Sequence, residues 1–258
     1  MPEITLNIWN KINKFIKENK LINQRDRVLV AVSGGPDSMV LLDYFNKRFK
    51  NRFIVFHLNH GIRKESIIDE NVVRNYCVKN GIDFFCEKID AICIANKNRD
   101  NLENTARKKR YEFFLKYAKK YKCDLVATAH NMDENIETIM LNLIRGKSIK
   151  GLCGIPFKRK LSRNIYVIRP LICIKKNEIL SYLKENKIKY AVDKTNYDTN
   201  YTRNWIRRKL IPMIESKQPN FGIHLIDISK QIIKFTKSGE QTAYGSRLTA
   251  HGYKKVKR

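Results

Sequence analysis

Apolar residues recur along this chain in two alternating rhythms. A four-residue spacing opens it, with Ile4, Ile8, Ile12 and Ile16 on one helical face, and short continuous apolar runs such as Val28 to Val32 come next. The pattern predicts helices near 5–19, 37–48, 66–80, 101–121 and 132–145, with strands near 27–32, 53–59, 83–89 and 124–129 between them. In the 101–121 helix, Leu102, Ala106, Phe113 and Tyr117 form the apolar stripe, while Glu103, Arg107, Arg110 and Phe114 share another side. Strand–helix alternation implies parallel strands joined by right-handed crossovers. The predicted fold is therefore α/β, a doubly wound, mostly parallel sheet with helices on both faces. Its ligands should bind beyond the C-terminal strand ends.

From about residue 146 the rhythm changes. Gly146, Gly151 and Gly154 punctuate a loop, Tyr166 to Ile168 reads as a strand, and helices are expected near 175–186, 202–214 and 222–236. In the 202–214 helix, Ile206, Leu210, Met213 and Ile214 point inward and leave Arg203, Arg207 and Arg208 on polar faces. This is a small, mainly helical C-terminal appendage. Residues 238–258 lose apolar periodicity and read as a frayed basic tail. The expected organisation is an N-terminal helix over 1–24, a main domain over 25–215, and a helical extension with its tail over 216–258.

Composition alters the picture mainly through charge. The 258 residues hold 52 Lys+Arg against 25 Asp+Glu, a formal net charge of +27. Such a field attracts polyanions, nucleic acid first among them, although the chain's bias toward Ile, Lys and Asn would put some lysines on solvated faces regardless. With 43% hydrophobic residues the chain has the apolar content to fold. No apolar run approaches the roughly 20 residues of a membrane span, and the N-terminal segment lacks a secretory pattern. No membrane partner and a cytoplasmic location are expected, with an organelle stroma or matrix also compatible. The six cysteines, at 77, 86, 93, 123, 153 and 173, include no Cys-x-x-Cys pair and are expected to be reduced thiols. His57, His60 and His130 lack a zinc-ligand spacing.

The candidate chemistry begins after the first strand, where Ser33-Gly34-Gly35-Pro36-Asp37-Ser38 leads into an amphipathic helix. Two glycines let the backbone turn sharply and bring N–H groups to an anion, while the new helix points its positive end at the same spot. Ser33 and Ser38 add hydroxyls. A bare phosphate would repel Asp37, so its carboxylate makes sense as a ligand for Mg²⁺ carried by a nucleotide. The loop reads as a magnesium-pyrophosphate cradle; a glycine-rich turn capped by Asp or Ser is the plainer alternative. The other common phosphate loop, with Lys after its glycines, is absent.

Val30-Ala31-Val32-Ser33-Gly34-Gly35-Pro36-Asp37-Ser38 resembles the PP-loop of the N-type ATP pyrophosphatases, which cleave ATP between its α- and β-phosphates. Further segments resemble the tRNA(Ile)-lysidine synthetases in particular. They are His57-Leu58-Asn59-His60-Gly61-Ile62-Arg63, Asn104 to Arg107 through Arg110-Tyr111, Ala129-His130-Asn131-Met132-Asp133-Glu134-Asn135-Ile136-Glu137-Thr138, and Leu143-Ile144-Arg145-Gly146. Arg169-Pro170-Leu171, Asp193 to Asp198, Tyr201 to Asn204 and Ile206-Arg207 continue the match in the same order.

That resemblance implies an adenine nucleotide α-hydrolase-like sheet and an ATP-dependent carbon–nitrogen ligase. The ligase would join free L-lysine to the wobble cytidine of tRNA(Ile) with a CAU anticodon, through an adenylated cytosine, releasing AMP and pyrophosphate. It implies ATP at Ala31, Ser33, Gly34, Gly35, Pro36, Asp37 and Ser38, with His57, Asn59, His130 and Arg145 completing the nucleotide site and Asp37 holding Mg²⁺. It puts Arg107 and Arg110 beside the nucleotide, where guanidinium forks suit the oxygens of ATP phosphates or of the tRNA backbone. Asp133, Glu134 and Glu137 form an acidic cluster at a helix start, read either as capping or as recognition of Mg²⁺ or of cationic lysine. The family usually has consecutive aspartates where this chain has Asp133-Glu134. By analogy Asp193, Asn196, Arg203 and Asn204 shape the substrate-entry side. Members commonly carry further C-terminal domains that grip tRNA, of which residues after about 216 would supply at most the beginning; a homodimer is one open oligomeric state. A tRNA thiolase, another PP-loop adenylating enzyme or a non-enzymatic RNA-binding module are the alternatives, the first disfavoured by the missing Cys-x-x-Cys.

Overall fold

Within β1 (Val28–Ala31), Val28 and Val30 face one side of a sheet and Leu29 the other, as a strand's two-residue period requires. All three are fully buried, so both faces must be covered by helices. The computed structural model, which describes residues 3–61, 66–192 and 202–237, supplies those covers. By Cα proximity the chain divides into two compact units, Met1–Asn135 with Pro156–Asp198 and Ile136–Ile155 with Thr199–Arg258.

The first unit holds a six-stranded sheet in the order β3-β2-β1-β4-β6-β5. β1 pairs in parallel with β2 (Phe53–Asn59) and β4 (Leu125–Ala127), β3 (Phe84–Lys88) extends β2, and β6 (Tyr166–Ile168) extends β4. Only β5 (Lys158–Lys160) runs antiparallel, on the outer side of β6. Its Lys-Arg-Lys sequence carries no apolar alternation, which is why the sequence pattern misses it; charge suits an edge strand.

One face is covered by α1 (Glu3–Glu18), α2 (Pro36–Arg48), α3 (Ser66–Asn80) and α7 (Lys176–Glu185). Ile8, Trp9, Ile12, Met39, Phe45 and Tyr182 form its centre. The other face is covered by α5 (Leu102–Lys120), through Phe114 and Ala118 against Leu29, Ile54, Phe56 and Val126. Phe114 is therefore a core residue, and the buried line of α5 is Thr105, Ala106, Phe114 and Ala118. The expected stripe is turned by about one position, because Leu102, Phe113 and Tyr117 are only half-buried. A short helix that periodicity does not predict, α4 (Ala91–Asn98), is capped by Asp90 accepting from the Cys93 N–H at 2.9 Å.

α6 (Met132–Ile144) starts in the first unit and continues into the second. The second unit also contains α8 (Thr202–Trp205), a π-helical turn over Ile206–Leu210, α9 (Ile211–Glu215) and α10 (Phe221–Lys237). A Cβ at Gly222 would come within 2.8 Å of Ile136 Cδ1, so α10 crosses α6 closely there.

The sequence pattern predicts one regular helix over 202–214, and here the structure corrects it. The Ile211 N–H bonds to the Ile206 carbonyl, five residues back. Pro212 has no N–H to offer the preceding turn, so the regular ladder is already broken at that point. The wider turn shifts the helical phase of the residues after it. Ile206 is fully buried as expected, but Met213 stands 63% exposed instead of pointing inward.

Candidate functional site

Three strands of the first unit end around one cavity of about 530 Å³. At the end of β1, Ala31, Ser33, Gly35, Asp37 and Ser38 line it; at the end of β2, His57, Asn59 and His60 do. Thr128, Ala129 and His130 come after β4, and Arg107, Arg110 and Tyr111 reach it from α5. This is the C-terminal edge of the parallel sheet, where the alternation of elements places the site.

The loop after β1 is built as its glycines dictate. Gly34 has φ +90°, and a Cβ there would lie 2.7 Å from the Asp69 carbonyl oxygen, so only glycine fits beside α3. Gly35 is the N-cap of α2 with extended backbone, and Pro36 occupies the first turn, where a missing N–H costs nothing. Ser38 is buried; its hydroxyl donates to the Gly35 carbonyl at 2.8 Å and lies 3.2 Å from the Ser33 N–H. It braces the loop from within. The Ala191 N–H donates to the Gly34 carbonyl at 2.9 Å and ties the loop from outside.

Asp37, in the first turn of α2, faces the cavity with both carboxylate oxygens engaged. Asn131 donates its side-chain amide to Oδ1 at 2.7 Å, and the Lys176 ammonium meets Oδ2 at 2.6 Å. Periodicity and motif spacing single out neither partner's contact. Lys176 is one lysine in a lysine-rich chain, and its approach to Asp37 exists only through the packing of α7.

Of the three histidines that line the cavity, His57 and His60 are held toward the neutral form by burial. His57 Nδ1 lies 2.8 Å from the Val32 carbonyl, which can only accept, so Nδ1 carries the proton and Nε2 is left as an acceptor. Burial chiefly holds the pKa of His57 below its usual value. His60 is pushed down to about 4 by burial first, then by Arg110 and His57. Arg110 reaches His60 Nε2 at 3.4 Å, and the Arg107 guanidinium lies over the Tyr111 ring. His57 Nε2 and His60 Nδ1 are buried without a hydrogen-bond partner among the described residues.

The acidic cluster at the start of α6 divides into three separate tasks. Glu134 lines the cavity and closes a reciprocal capping box with Asn131: the Glu134 N–H donates to Asn131 Oδ1 at 2.9 Å, and the Asn131 N–H to Glu134 Oε2 at 3.2 Å. Asp133 accepts the Lys176 backbone N–H at 2.7 Å and so caps α7. Glu137, only 2% exposed, accepts from Arg203 Nε at 3.1 Å and from Arg207 Nε and Nη2 at 2.5 and 2.9 Å within the second unit. Arg203 and Arg207 are thus engaged with a buried carboxylate, which a purely solvated basic face would not require.

Arg145 is exposed just after α6, and Asn204 is half-buried in α8. Asp193 and Asn196 lie outside the described residues, as do Ile62 and Arg63 and the expected tail over 238–258. Among the described residues no three His, Cys, Asp or Glu side chains gather as a metal cluster, and no helix is long and apolar enough to cross a membrane. Burial pushes the thiols of Cys77, Cys86 and Cys173 up to about 12, and that of Cys123 to about 11.

The chain is similar to known proteins. A PP-loop domain family model matches residues 4–214. The tRNA(Ile)-lysidine synthase of Petrotoga mobilis is 38% identical over 226 residues, covering 86% of this chain and 71% of that protein. The tRNA(Ile)-lysidine synthase of Thermosipho africanus is 40% identical over 219 residues, covering 84% of this chain and 50% of that one. This chain thus spans about half to three-quarters of those two relatives, and only 34% of a bifunctional relative from Listeria monocytogenes. Among solved structures, a U34-tRNA thiolase from Methanococcus maripaludis with a [4Fe-4S] cluster superposes with a TM-score of 0.74 at 20% identity, over 90% of this chain and 80% of that one. That likeness extends to the fold alone. The strand-end loop, the family match and the curated relatives agree, and the chain belongs to the tRNA(Ile)-lysidine synthase family of PP-loop proteins.

Proposed function

We propose that this chain activates the wobble cytidine of a tRNA(Ile) with a CAU anticodon by adenylation and joins it to free L-lysine. The cytosine O2 attacks the α-phosphorus of ATP, and the bond to the β-phosphate breaks, releasing pyrophosphate. The lysine ε-amine then attacks C2, and AMP leaves with the oxygen. Adenylation makes a poor leaving oxygen a good one, so the protein's task is to position reactants and neutralise charge.

The observation that carries this reading is the meeting, in one strand-end cavity, of the Ser33–Ser38 turn with the Arg107 and Arg110 guanidiniums. The turn suits the triphosphate tail and the guanidiniums suit its oxygens. The unpartnered ring nitrogens of His57 and His60 are polar groups that a bound nucleotide would satisfy. Asp37 fits Mg²⁺ in the way that ion usually binds, through one carboxylate with the nucleotide's own phosphates supplying other ligands. Bound there, Mg²⁺ would supply positive charge to the departing pyrophosphate. Glu134, the one acid of the α6 cluster that lines the cavity, is the candidate acidic group for lysine. The pairing of Asp133 with α7 and of Glu137 with Arg203 and Arg207 argues against a lysine-binding role for those two. Asn204 is a candidate for the tRNA side, and a cytoplasmic setting fits this substrate set.

The test is incubation with labelled lysine, ATP and a tRNA(Ile) transcript. RNA should acquire label only with ATP present, with AMP released in equal amount, and Asp37→Ala should abolish it. A thiolase would instead require a sulfur donor, and the raised thiol pKa values weigh against sulfur transfer through Cys77, Cys86, Cys123 or Cys173. Lysine-independent modification, or none with an intact ATP site, would overturn the proposal.

A further inference from the structure

The Lys176 side chain belongs to none of the sequence motifs, yet its ammonium sits 2.6 Å from the carboxylate that faces the nucleotide cavity. Both groups are partly open, with side chains 37% and 24% exposed. A pair this exposed adds little to stability, so a brace for the fold is a weak account of it. The root of the side chain is held firmly. Asp133 accepts the Lys176 backbone N–H, and α7 is anchored in the core by Ile179, Tyr182 and Leu183. The stem beyond is flexible and ends in three donors, of which only one has a partner among the described residues.

We infer that Lys176 is a phosphate-contacting residue, its ammonium beside Asp37 able to exchange onto the phosphate tail of a nucleotide bound in the adjoining cavity. This rests on the proposed ATP site and adds to it a residue and an exchange. The exchange conserves charge pairing. One cation leaves a carboxylate for a phosphate oxygen, and the carboxylate oxygen it vacates becomes available to Mg²⁺. A lysine suits the task because its compact charge can turn about a fixed root, where a guanidinium fork would favour one bidentate geometry. After adenylation the same ammonium would remain with pyrophosphate, offsetting the charge of the leaving group.

The experiment measures binding of ATP, inorganic pyrophosphate and AMP to the metal-free full chain by calorimetry, for wild type, Lys176→Gln and Lys176→Arg. A charge-assisted contact to phosphate predicts that Lys176→Gln weakens ATP and pyrophosphate about 10- to 100-fold while AMP changes less than about twofold. Lys176→Arg should recover most of the loss, and thermal melts should match wild type. The same substitution in an Asp37→Asn background separates the two roles. If Lys176 touches phosphate, pyrophosphate affinity still falls there; if it is only the counter-ion of Asp37, the effect vanishes and the inference is overturned. An unchanged ratio of ATP to AMP affinity in Lys176→Gln overturns it equally. Failure of wild-type protein to bind ATP at all would instead sink the functional reading beneath it.

Discussion

Asn131 joins the two halves of the nucleotide edge: its amide donates to Asp37 at 2.7 Å while its carbonyl oxygen caps α6 through the Glu134 N–H. Ninety-four positions separate it from Asp37, and one buried side chain serves both ends. Its two functions can be separated by substitution. Asn131→Asp keeps the capping acceptor but sets a second carboxylate against Asp37. ATP affinity in a calorimetric titration should fall at least about tenfold from that added repulsion, with helix content retained. Asn131→Ala should also lose the cap, at a further cost of about 1 kcal/mol in denaturant unfolding. Wild-type ATP affinity in Asn131→Asp would remove the Asp37–Asn131 contact from the site.

The two glycines of the loop should respond differently to the same added methyl. At Gly34 the φ of +90° and an approach of 2.7 Å to the Asp69 backbone leave no room. Gly34→Ala should destabilise the first unit by about 2 kcal/mol or more. At Gly35 the φ is −72°, and a Cβ would meet only Ser33 Oγ at 3.6 Å. Gly35→Ala should therefore melt close to wild type, yet weaken ATP binding, since the methyl projects where backbone must approach a phosphate. Equal loss of stability in both variants would show that Gly35 answers to the fold and not to a ligand.

Glu137 and its two arginines form an unequal partnership. The carboxylate is 2% exposed, whereas Arg203 and Arg207 are 39% and 37% exposed at their side chains. Removing the acid strands two half-solvated cations; removing both arginines strands a buried anion. Glu137→Gln should cost about 1–2 kcal/mol, while the double variant Arg203→Met/Arg207→Met should cost about 3–5 kcal/mol. Hydrogen exchange of α6 and α8 amides would read the local loss. Equal costs would mean that Glu137 is hydrated in solution.

Much of this architecture is legible in the order of residues alone. Strand–helix alternation locates β1 to β4 and the edge at which they end, and Gly34-Gly35 with Asp37 marks the turn, Gly34 because its φ of +90° and its approach to Asp69 admit no other residue. The features that escape the pattern depend on three-dimensional approach. The spacing of Asp133 and Glu137 puts them on one helical face, but they lie a full turn apart along the axis, so each meets a different neighbour: the α7 N-terminus for one, two arginines for the other. The π turn at 206–210 is tied to Pro212, a residue that periodicity alone counts as merely apolar. Lys176 has no local signature at all. Its place beside Asp37 is set by α7 docking on α2, a long-range consequence of Ile179 and Tyr182 being buried.

His60 makes stability depend on pH in a defined direction. Burial, with Arg110 and His57 nearby, lowers its pKa from 6.5 to about 4, so the folded chain resists a proton that the unfolded chain accepts. Above pH 6.5 both states are neutral and His60 contributes no pH dependence. As pH falls from 6.5 toward 4, the unfolded state binds more protons and stability declines, by at most about 3 kcal/mol from this group. Below about 4 both states are protonated and this part of the slope flattens. His60→Asn removes the titrating ring, so its unfolding free energy should fall less steeply than wild type across that window, while the two curves run parallel above pH 7. Denaturant unfolding at half-unit pH steps makes the comparison. Parallel curves throughout would mean that the ring is solvated and titrates normally.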